Sequence, residues 1–134
     1  MKNTQAFVVM LLSLIVLDAL WIFGFMQGLY QREIPDLLKA DPNLIAALIF
    51  YVGYPIGALY LAVFPALEHH SVRKAAVNGA LLGGTAYGTF AITNLSVIKD
   101  WSVAVTIADA FWGTVVTALV SALGYLVARR GANS

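Results

Sequence analysis

Residues 44–67 read LIAALIFYVGYPIGALYLAVFPAL, a stretch that contains no charged side chain. A helix rises about 1.5 Å per residue, so this stretch is long enough to cross the roughly 30 Å hydrocarbon core of a bilayer. Three further apolar stretches of similar length lie at about residues 6–26, 75–95 and 103–127. The sequence therefore predicts an all-α integral membrane protein, a single transmembrane domain of four helices.

The composition excludes several classes of protein. Of the 134 residues, 60% are hydrophobic and only 11% are charged, whereas a soluble domain usually has about 25% charged residues and a disordered chain is poor in apolar ones. The formal net charge of +1 provides no basic surface for nucleic acid. Cysteine is absent, which removes disulfides and thiolate-based catalytic or metal sites. The partner that the composition predicts is the lipid bilayer.

The short connections between the predicted helices make consecutive helices antiparallel neighbours in a four-helix bundle. Basic residues accumulate on the cytoplasmic side of a membrane, and this bias orients the bundle. One side carries five basic residues and the other carries three: Lys2, Arg73, Lys74, Arg129 and Arg130 against Arg32, Lys39 and Lys99. Both termini are therefore expected in the cytoplasm.

Pairs of glycines four residues apart recur along the chain. Such small-residue faces let helix backbones approach closely in lipid. We expect these faces to pack mainly inside the bundle, and the alternative is that they dock a homodimer or a larger membrane complex. The pairs are Gly24 with Gly28, Gly53 with Gly57, Gly79 with Gly83, and Gly84 with Gly88.

Two carboxylates interrupt the apolar stretches in matching contexts, Asp18-Ala-Leu-Trp21 and Asp109-Ala-Phe-Trp112. Residues three apart share one face of a helix, so each Asp shares a face with a Trp. A carboxylate at the centre of a membrane costs roughly 2.5–3.5 kcal/mol on insertion scales, and it usually faces the bundle interior and marks function. The two motifs are therefore the leading candidates for a functional site.

The predicted topology collects polar and aromatic side chains in the outer half of the bundle. Asp18 lies past the middle of the outgoing first helix, and Asp109 lies in the first third of the returning fourth helix. This arrangement predicts an outward-facing pocket that binds a ligand. Its candidate residues are Asp18, Trp21, Tyr51, Tyr54, Thr89, Asn94, Asp109 and Trp112.

A purely structural role for the same side chains stays open, because donors on neighbouring helices can hold a buried Asp in place. No histidine lies in a predicted membrane helix, so neither a metal site, a haem nor another cofactor is expected. The sequence also lacks the signatures of phosphate-binding loops, serine hydrolases and zinc proteases. Whether the protein is an enzyme stays open at this level.

Several motifs in a fixed order carry a family resemblance: Asp18-Ala-Leu-Trp21, Phe50-Tyr51, Pro65-Ala-Leu67, the run from Tyr87 to Leu95, Trp101, and the run from Asp109 to Thr114. Over nearly its whole length the chain resembles a bacterial family of predicted membrane proteins, domain of unknown function family 2177. The resemblance implies four transmembrane helices, a location in the bacterial inner membrane and no defined activity. The family's third helix usually reads Tyr-Gly-Thr-Tyr-Asp-Leu-Thr-Asn, so Phe90 and Ala91 depart from the pattern. No third carboxylate is therefore expected in this protein.

Three functional hypotheses follow. The first is a pocket that binds or modifies a lipid-like or other small apolar ligand. The second is a proton-coupled transporter similar to the small multidrug-resistance proteins, which carry an acidic residue in their first helix. Against it, the basic residues are distributed five to three rather than evenly, and Asp109 has no counterpart in those proteins. The third is a structural subunit of a membrane complex, in which the Asp residues would serve stability alone.

Overall fold

The computed structural model describes residues 2–37 and 43–132, and the regular structure in these ranges is helical. Four helical segments follow one another, and two of them contain a π-helical turn. The first segment is α1 (Lys2–Trp21), a π turn (Ile22–Met26) and α2 (Gln27–Glu33); the second is α3 (Leu44–Ala58), a π turn (Leu59–Val63) and α4 (Phe64–Glu68); the third is α5 (Val72–Val97) and the fourth is α6 (Val103–Ala132).

Helix starts are set by polar side chains in the connections. Asn43, Ser71 and Ser102 each accept a hydrogen bond from the backbone N–H three residues further on, at 3.1, 3.0 and 3.1 Å. Such a cap satisfies one of the free N–H groups of the first helical turn. The two tight turns contain His70 and Asp100 with positive φ angles of 50° and 63°. The chain therefore reverses direction between the last three segments within a few residues.

The first segment is longer than the sequence predicted. The expected helix ended near Met26, but the observed helix continues to Glu33, so Tyr30 belongs to the helix and not to the connection. The polar residues after Met26 resemble a loop in composition, although nothing among them breaks a helix. The break comes at Ile34, whose φ of −138° suits the residue before a proline. A short 3₁₀ turn (Pro35–Leu37) follows it.

Three of the described segments are long and apolar enough to cross a membrane: Lys2–Glu33, Leu44–Glu68 and Val103–Arg130. The sequence predicted four. α5 has 26 residues and sufficient length, but its glycine, threonine and asparagine residues make it less apolar than the other segments. By length and composition, three of the four helical segments can therefore cross a membrane.

Contacts between named side chains place the first and fourth segments antiparallel. Met10 packs against Gly124, Asp18 bonds Trp112, and Glu33 bonds Ser102. α6 also contacts the second segment and packs along the length of α5. The fourth segment thus forms the centre of the packed structure, with the other three arranged around it.

The closest packing lies between α5 and α6 and depends on glycine. A Cβ at Gly79 would fall within 2.5 Å of the Thr117 carbonyl oxygen, and a Cβ at Gly83 would overlap Gly113 and Thr117. By contrast, a Cβ at Gly24, Gly53, Gly57 or Gly88 would meet no heavy atom of the described residues within 4 Å. The predicted packing role inside the protein therefore applies to Gly79 and Gly83, with Gly84 close to Thr114.

The backbones of the second and third segments approach each other most closely at one end. Their contacts concentrate on the π turn Leu59–Val63 and on α4, where Asn78 Nδ2 donates to the Ala62 carbonyl at 3.2 Å. Pro55 lies inside α3 just before this turn, and both features bend helices. Beyond this contact, α3 and α5 lie further apart and leave space between them.

Two apolar clusters lie on either side of the middle of the packed helices. The larger one includes Met10, Leu14, Val116 and Tyr125, and the smaller one comprises Met26, Leu29, Ile34 and Val105. Along both the first and the fourth segment, the two Asp-Ala-X-Trp motifs lie between these clusters. The packing of apolar side chains on either side therefore fixes the positions of the polar groups.

Candidate functional site

Asp18 is the polar centre of the packed helices. Its side chain is only 6% exposed. The Tyr51 hydroxyl donates to Oδ2 at 3.0 Å and the Trp112 indole N–H donates to Oδ1 at 2.8 Å. Each carboxylate oxygen therefore has a strong donor, and the three residues join the first, second and fourth segments.

The two Trp residues of the repeated motif also meet. The rings of Trp21 and Trp112 stack with centroids 4.7 Å apart and planes 1° from parallel. Trp21 makes a second, tilted contact with Phe25 at 4.9 Å. Stacking fixes the Trp112 ring from one side while its N–H is held by Asp18, so the indole has little freedom to turn.

Asp109 has a different environment from Asp18. It is half-buried, and its one side-chain donor in the described part of the chain is the Tyr30 hydroxyl, 3.5 Å from Oδ1. A separation of 3.5 Å is at the limit for a hydrogen bond and makes it weak. Asp109 therefore keeps most of its capacity to accept hydrogen bonds or to balance a positive charge.

Asp109 and Tyr30 face a cavity of about 410 Å³ in the space between α3 and α5. The second and third segments contribute the aromatic walls, and two of these rings lie at the surface: Phe50 is 37% exposed and Phe90 is 59% exposed. The cavity is thus open on the side where α3 and α5 separate. It is lined by Tyr30, Phe50, Tyr54, Ala86, Tyr87, Phe90 and Asp109.

The aromatic walls have a defined geometry. Phe50 and Tyr54 lie 5.3 Å apart with planes 26° from parallel, and the Tyr87 ring is turned by 72° and 73° relative to them. The Tyr54 hydroxyl shares a 2.7 Å hydrogen bond with Thr117 of α6. Tyr54 is therefore held at both its ring and its hydroxyl, which fixes the position of this part of the wall.

The predicted site residues divide into three groups in the structure. Asp18, Trp21, Tyr51 and Trp112 form the buried polar cluster. Tyr54 and Asp109 line the cavity. The remaining two, Thr89 and Asn94, belong to neither.

The structure does not bring Thr89 and Asn94 to the cavity that Tyr54 and Asp109 line. Successive residues of a helix turn by about 100°, so Thr89 lies on a different face of α5 from Tyr87 and Phe90. It lines a shallow groove with Thr85 and Thr93. Asn94 lies one turn beyond Phe90, past the lining of the cavity.

Sequence reasoning did not include five of the cavity residues: Ala86 and the four aromatic residues Tyr30, Phe50, Tyr87 and Phe90. Tyr30 was missed because its segment resembled a connection. The other aromatic residues carry a usable signal, since Phe50 and Tyr54 are four apart and Tyr87 and Phe90 are three apart on their helices. An aromatic stripe of this kind is also common in ordinary helix packing, so the stripe alone does not indicate a cavity.

No group of three or more His, Asp or Glu side chains that could hold a metal ion occurs among residues 2–37 and 43–132. Among these residues, the lining of the cavity provides one carboxylate, three phenol groups and apolar surface. Such a set can bind an apolar body and orient one polar or positively charged group.

Comparison with known proteins identifies the family. Residues 3–126 match the family described as "Predicted membrane protein (DUF2177)", and the chain belongs to that family. No curated protein and no solved structure matches the chain. The family description establishes a membrane protein and specifies no activity.

Proposed function

We propose that this protein binds a lipid-like amphiphile, which enters from the bilayer between α3 and α5. The observation that carries the proposal is the cavity of about 410 Å³ with aromatic walls, an open side and, among the described residues, a single carboxylate. Sites for small ligands commonly have volumes of about 300–1,000 Å³, mostly apolar walls and a few polar groups that fix orientation. An amphiphile has an apolar body for the aromatic walls and one polar end for Asp109.

The position of the opening supports a ligand that arrives through lipid. Phe50 and Phe90 lie at the outer surface of helices that would face acyl chains, and the small side chain of Ala86 is an exposed part of the same lining. A water-soluble ligand would have no need of this lateral route. The apolar exposed surface of the second segment is continuous with the cavity, so a tail can remain in the bilayer while the polar end enters.

The proposal includes a membrane arrangement. α5 crosses the bilayer as a fourth membrane helix, antiparallel to α6, and both chain termini lie in the cytoplasm of a bacterial cell, in its inner membrane. Two features support this arrangement: the five-to-three distribution of basic residues and the packing of α5 along α6. The cavity then lies in the outer half of the membrane, because Phe50, Phe90 and Asp109 are all near the helix ends opposite the termini.

The experiment compares two tryptophan substitutions on α5 in the purified protein reconstituted in lipid nanodiscs. Ala86→Trp fills the cavity, whereas Leu81→Trp adds the same side chain at a surface position outside it, where Leu81 is 66% exposed. A long-chain alcohol with a diazirine in its tail labels the protein under light, and peptide mapping locates the label.

We expect the wild type and Leu81→Trp to be labelled mainly on the peptides that contain Phe50 and Phe90. Ala86→Trp should reduce that labelling about tenfold, the change that a loss of about 1.4 kcal/mol produces. Labelling spread evenly over the lipid-facing surface, and unchanged by Ala86→Trp, would contradict the proposal.

A further inference from the structure

We infer that the polar end of the ligand is an organic cation of the ammonium type, bound by Asp109 and by the faces of the surrounding aromatic rings. This inference rests on the proposed function, since it names the chemistry of the group that the cavity receives. It goes beyond that function because a cavity of the same size and lining could also receive a neutral alcohol.

The first step is the contrast between the two carboxylates. Asp18 has a donor on each oxygen, at 3.0 and 2.8 Å, and it is buried inside the packed helices. Asp109 has the 3.5 Å contact from Tyr30 and faces the cavity. A carboxylate in an apolar setting is costly unless it is paired or strongly hydrogen-bonded. Among the described residues Asp109 therefore has no donor as close as those of Asp18, and the cavity beside it has room for a further partner.

The second step is the charge of the cavity wall. The lining contains Asp109 and no Lys, Arg or His in the part of the chain that the structure describes. An anionic head group would meet an uncompensated negative charge there, at an energetic cost that a low dielectric increases. A cation would instead balance the charge of Asp109. The charges of the lining residues therefore favour a positively charged polar group on the ligand.

The third step is the number and arrangement of the rings. Phe50, Tyr54, Tyr87 and Phe90 line the same cavity, with the Tyr87 plane nearly perpendicular to those of Phe50 and Tyr54. Ring faces attract cations, and cages of several aromatic side chains are a known solution for quaternary ammonium groups. A neutral hydroxyl would use Asp109 but would gain nothing specific from four ring faces.

The test uses three photoactivatable amphiphiles that share one alkyl chain with a diazirine and differ in their head group: trimethylammonium, hydroxyl or sulfonate. Each is applied to the protein in nanodiscs of uncharged lipid, and labelling of the cavity peptides is measured by mass spectrometry. Tetramethylammonium, which has no tail, is added as a competitor to distinguish a free cation from an amphiphile.

We expect the trimethylammonium probe to label the cavity about tenfold more than the hydroxyl probe, and the sulfonate probe to label it least. Asp109→Asn should remove the preference for trimethylammonium, whereas Asp100→Asn, the same change in an exposed turn, should keep it. Phe90→Leu should weaken the preference, and Phe23→Leu, at another exposed position, should not. Because Phe23 and Phe90 are both at the surface, these two variants are expected to fold.

The outcomes separate the two proposals. If the hydroxyl probe labels the cavity as well as the trimethylammonium probe, the cation inference fails and the binding of an amphiphile stands. If tetramethylammonium reduces labelling by the trimethylammonium probe as much as an equal amount of the same amphiphile without a diazirine does, the alkyl chain contributes nothing to binding. The cation inference then stands, and the proposal of a lipid-like ligand fails. If none of the probes labels the cavity of the wild type, both fail.

Discussion

Trp112 of the fourth segment donates its indole N–H to Asp18 of the first segment, with 2.8 Å between Nε1 and Oδ1. The two residues come from the two copies of the Asp-Ala-X-Trp motif, and each copy contributes a different partner to the pair. Asp109, the carboxylate of the second copy, receives Tyr30 at 3.5 Å instead. Two identical patterns of sequence therefore produce one satisfied, buried carboxylate and one that faces a cavity.

Removing the Asp18 carboxylate should destabilise the protein. Asp18→Ala leaves the Tyr51 hydroxyl and the Trp112 N–H without their acceptor, and we expect a loss of about 1–2 kcal/mol in the free energy of unfolding. Unfolding by dodecyl sulfate in mixed micelles, followed by circular dichroism, measures the change. Asp100→Asn in an exposed turn is the control and should have no effect. Equal stability of Asp18→Ala and the wild type would mean that the cluster around Asp18 contributes nothing to folding.

The stacked indoles should show energetic coupling. In a double-mutant cycle with Trp21→Leu and Trp112→Leu, we expect a coupling energy of about 0.5–1.5 kcal/mol, because the rings are 4.7 Å apart and parallel. The same unfolding assay supplies the four free energies. A cycle that pairs Trp21→Leu with Tyr60→Leu provides the comparison, since Tyr60 is exposed and its ring contacts Phe64, and its coupling should be close to zero.

Glycine substitutions should separate packed from open faces. Gly83→Ala places a methyl group on Gly113 and Thr117 and should cost about 1–3 kcal/mol through overpacking. Gly53→Ala meets open space and should be neutral, or stabilising by up to about 1 kcal/mol because alanine favours helix. Thermal unfolding in detergent ranks the two variants against the wild type. If the two had the same effect, the close approach of α5 to α6 could not be correct.

Ser102 should contribute more than an ordinary helix cap. Its hydroxyl caps α6 through the N–H of Val105 and donates to Glu33 Oε1 at 2.7 Å, which ties the end of α2 to the start of α6. We expect Ser102→Ala to cost about 2 kcal/mol, against about 1 kcal/mol for Ser71→Ala, which removes a cap without a carboxylate partner. In a Glu33→Ala background, the cost of Ser102→Ala should fall to that of a cap alone.

The membrane topology can be tested directly because the chain has no native cysteine. His69→Cys and Lys99→Cys lie in the exposed connections at the two ends of α5. If α5 crosses the bilayer, an impermeant maleimide added to intact cells should label the cysteine at position 99 and leave the one at position 69 unlabelled until the cells are lysed. Labelling of both positions from the same side would contradict a fourth membrane helix.

The sequence by itself determined the class of the protein and the helices. Long stretches without charge can satisfy their backbone groups in lipid only as helices, so the stretch at residues 44–67 was sufficient to predict a membrane helix. The positions of helix ends are harder to predict from sequence. Polar composition does not distinguish a loop from a helix that continues beyond an apolar stretch, so the sequence predicts a connection at Tyr30 where the structure has a helix. Asp18 and Asp109 were identified from composition alone, since a carboxylate is conspicuous in an apolar stretch.

Only the tertiary structure decided what each carboxylate does. Asp18 and Asp109 share the Asp-Ala-X-Trp pattern, and their difference depends on which helix lies opposite: Tyr51 and Trp112 reach Asp18, while the separation of α3 from α5 leaves a cavity beside Asp109. Pro55 inside α3 and the close glycine packing of α5 against α6 are the local features on the two sides of this space. Distances between helices depend on many side chains that are remote in sequence, so no local pattern could have specified them.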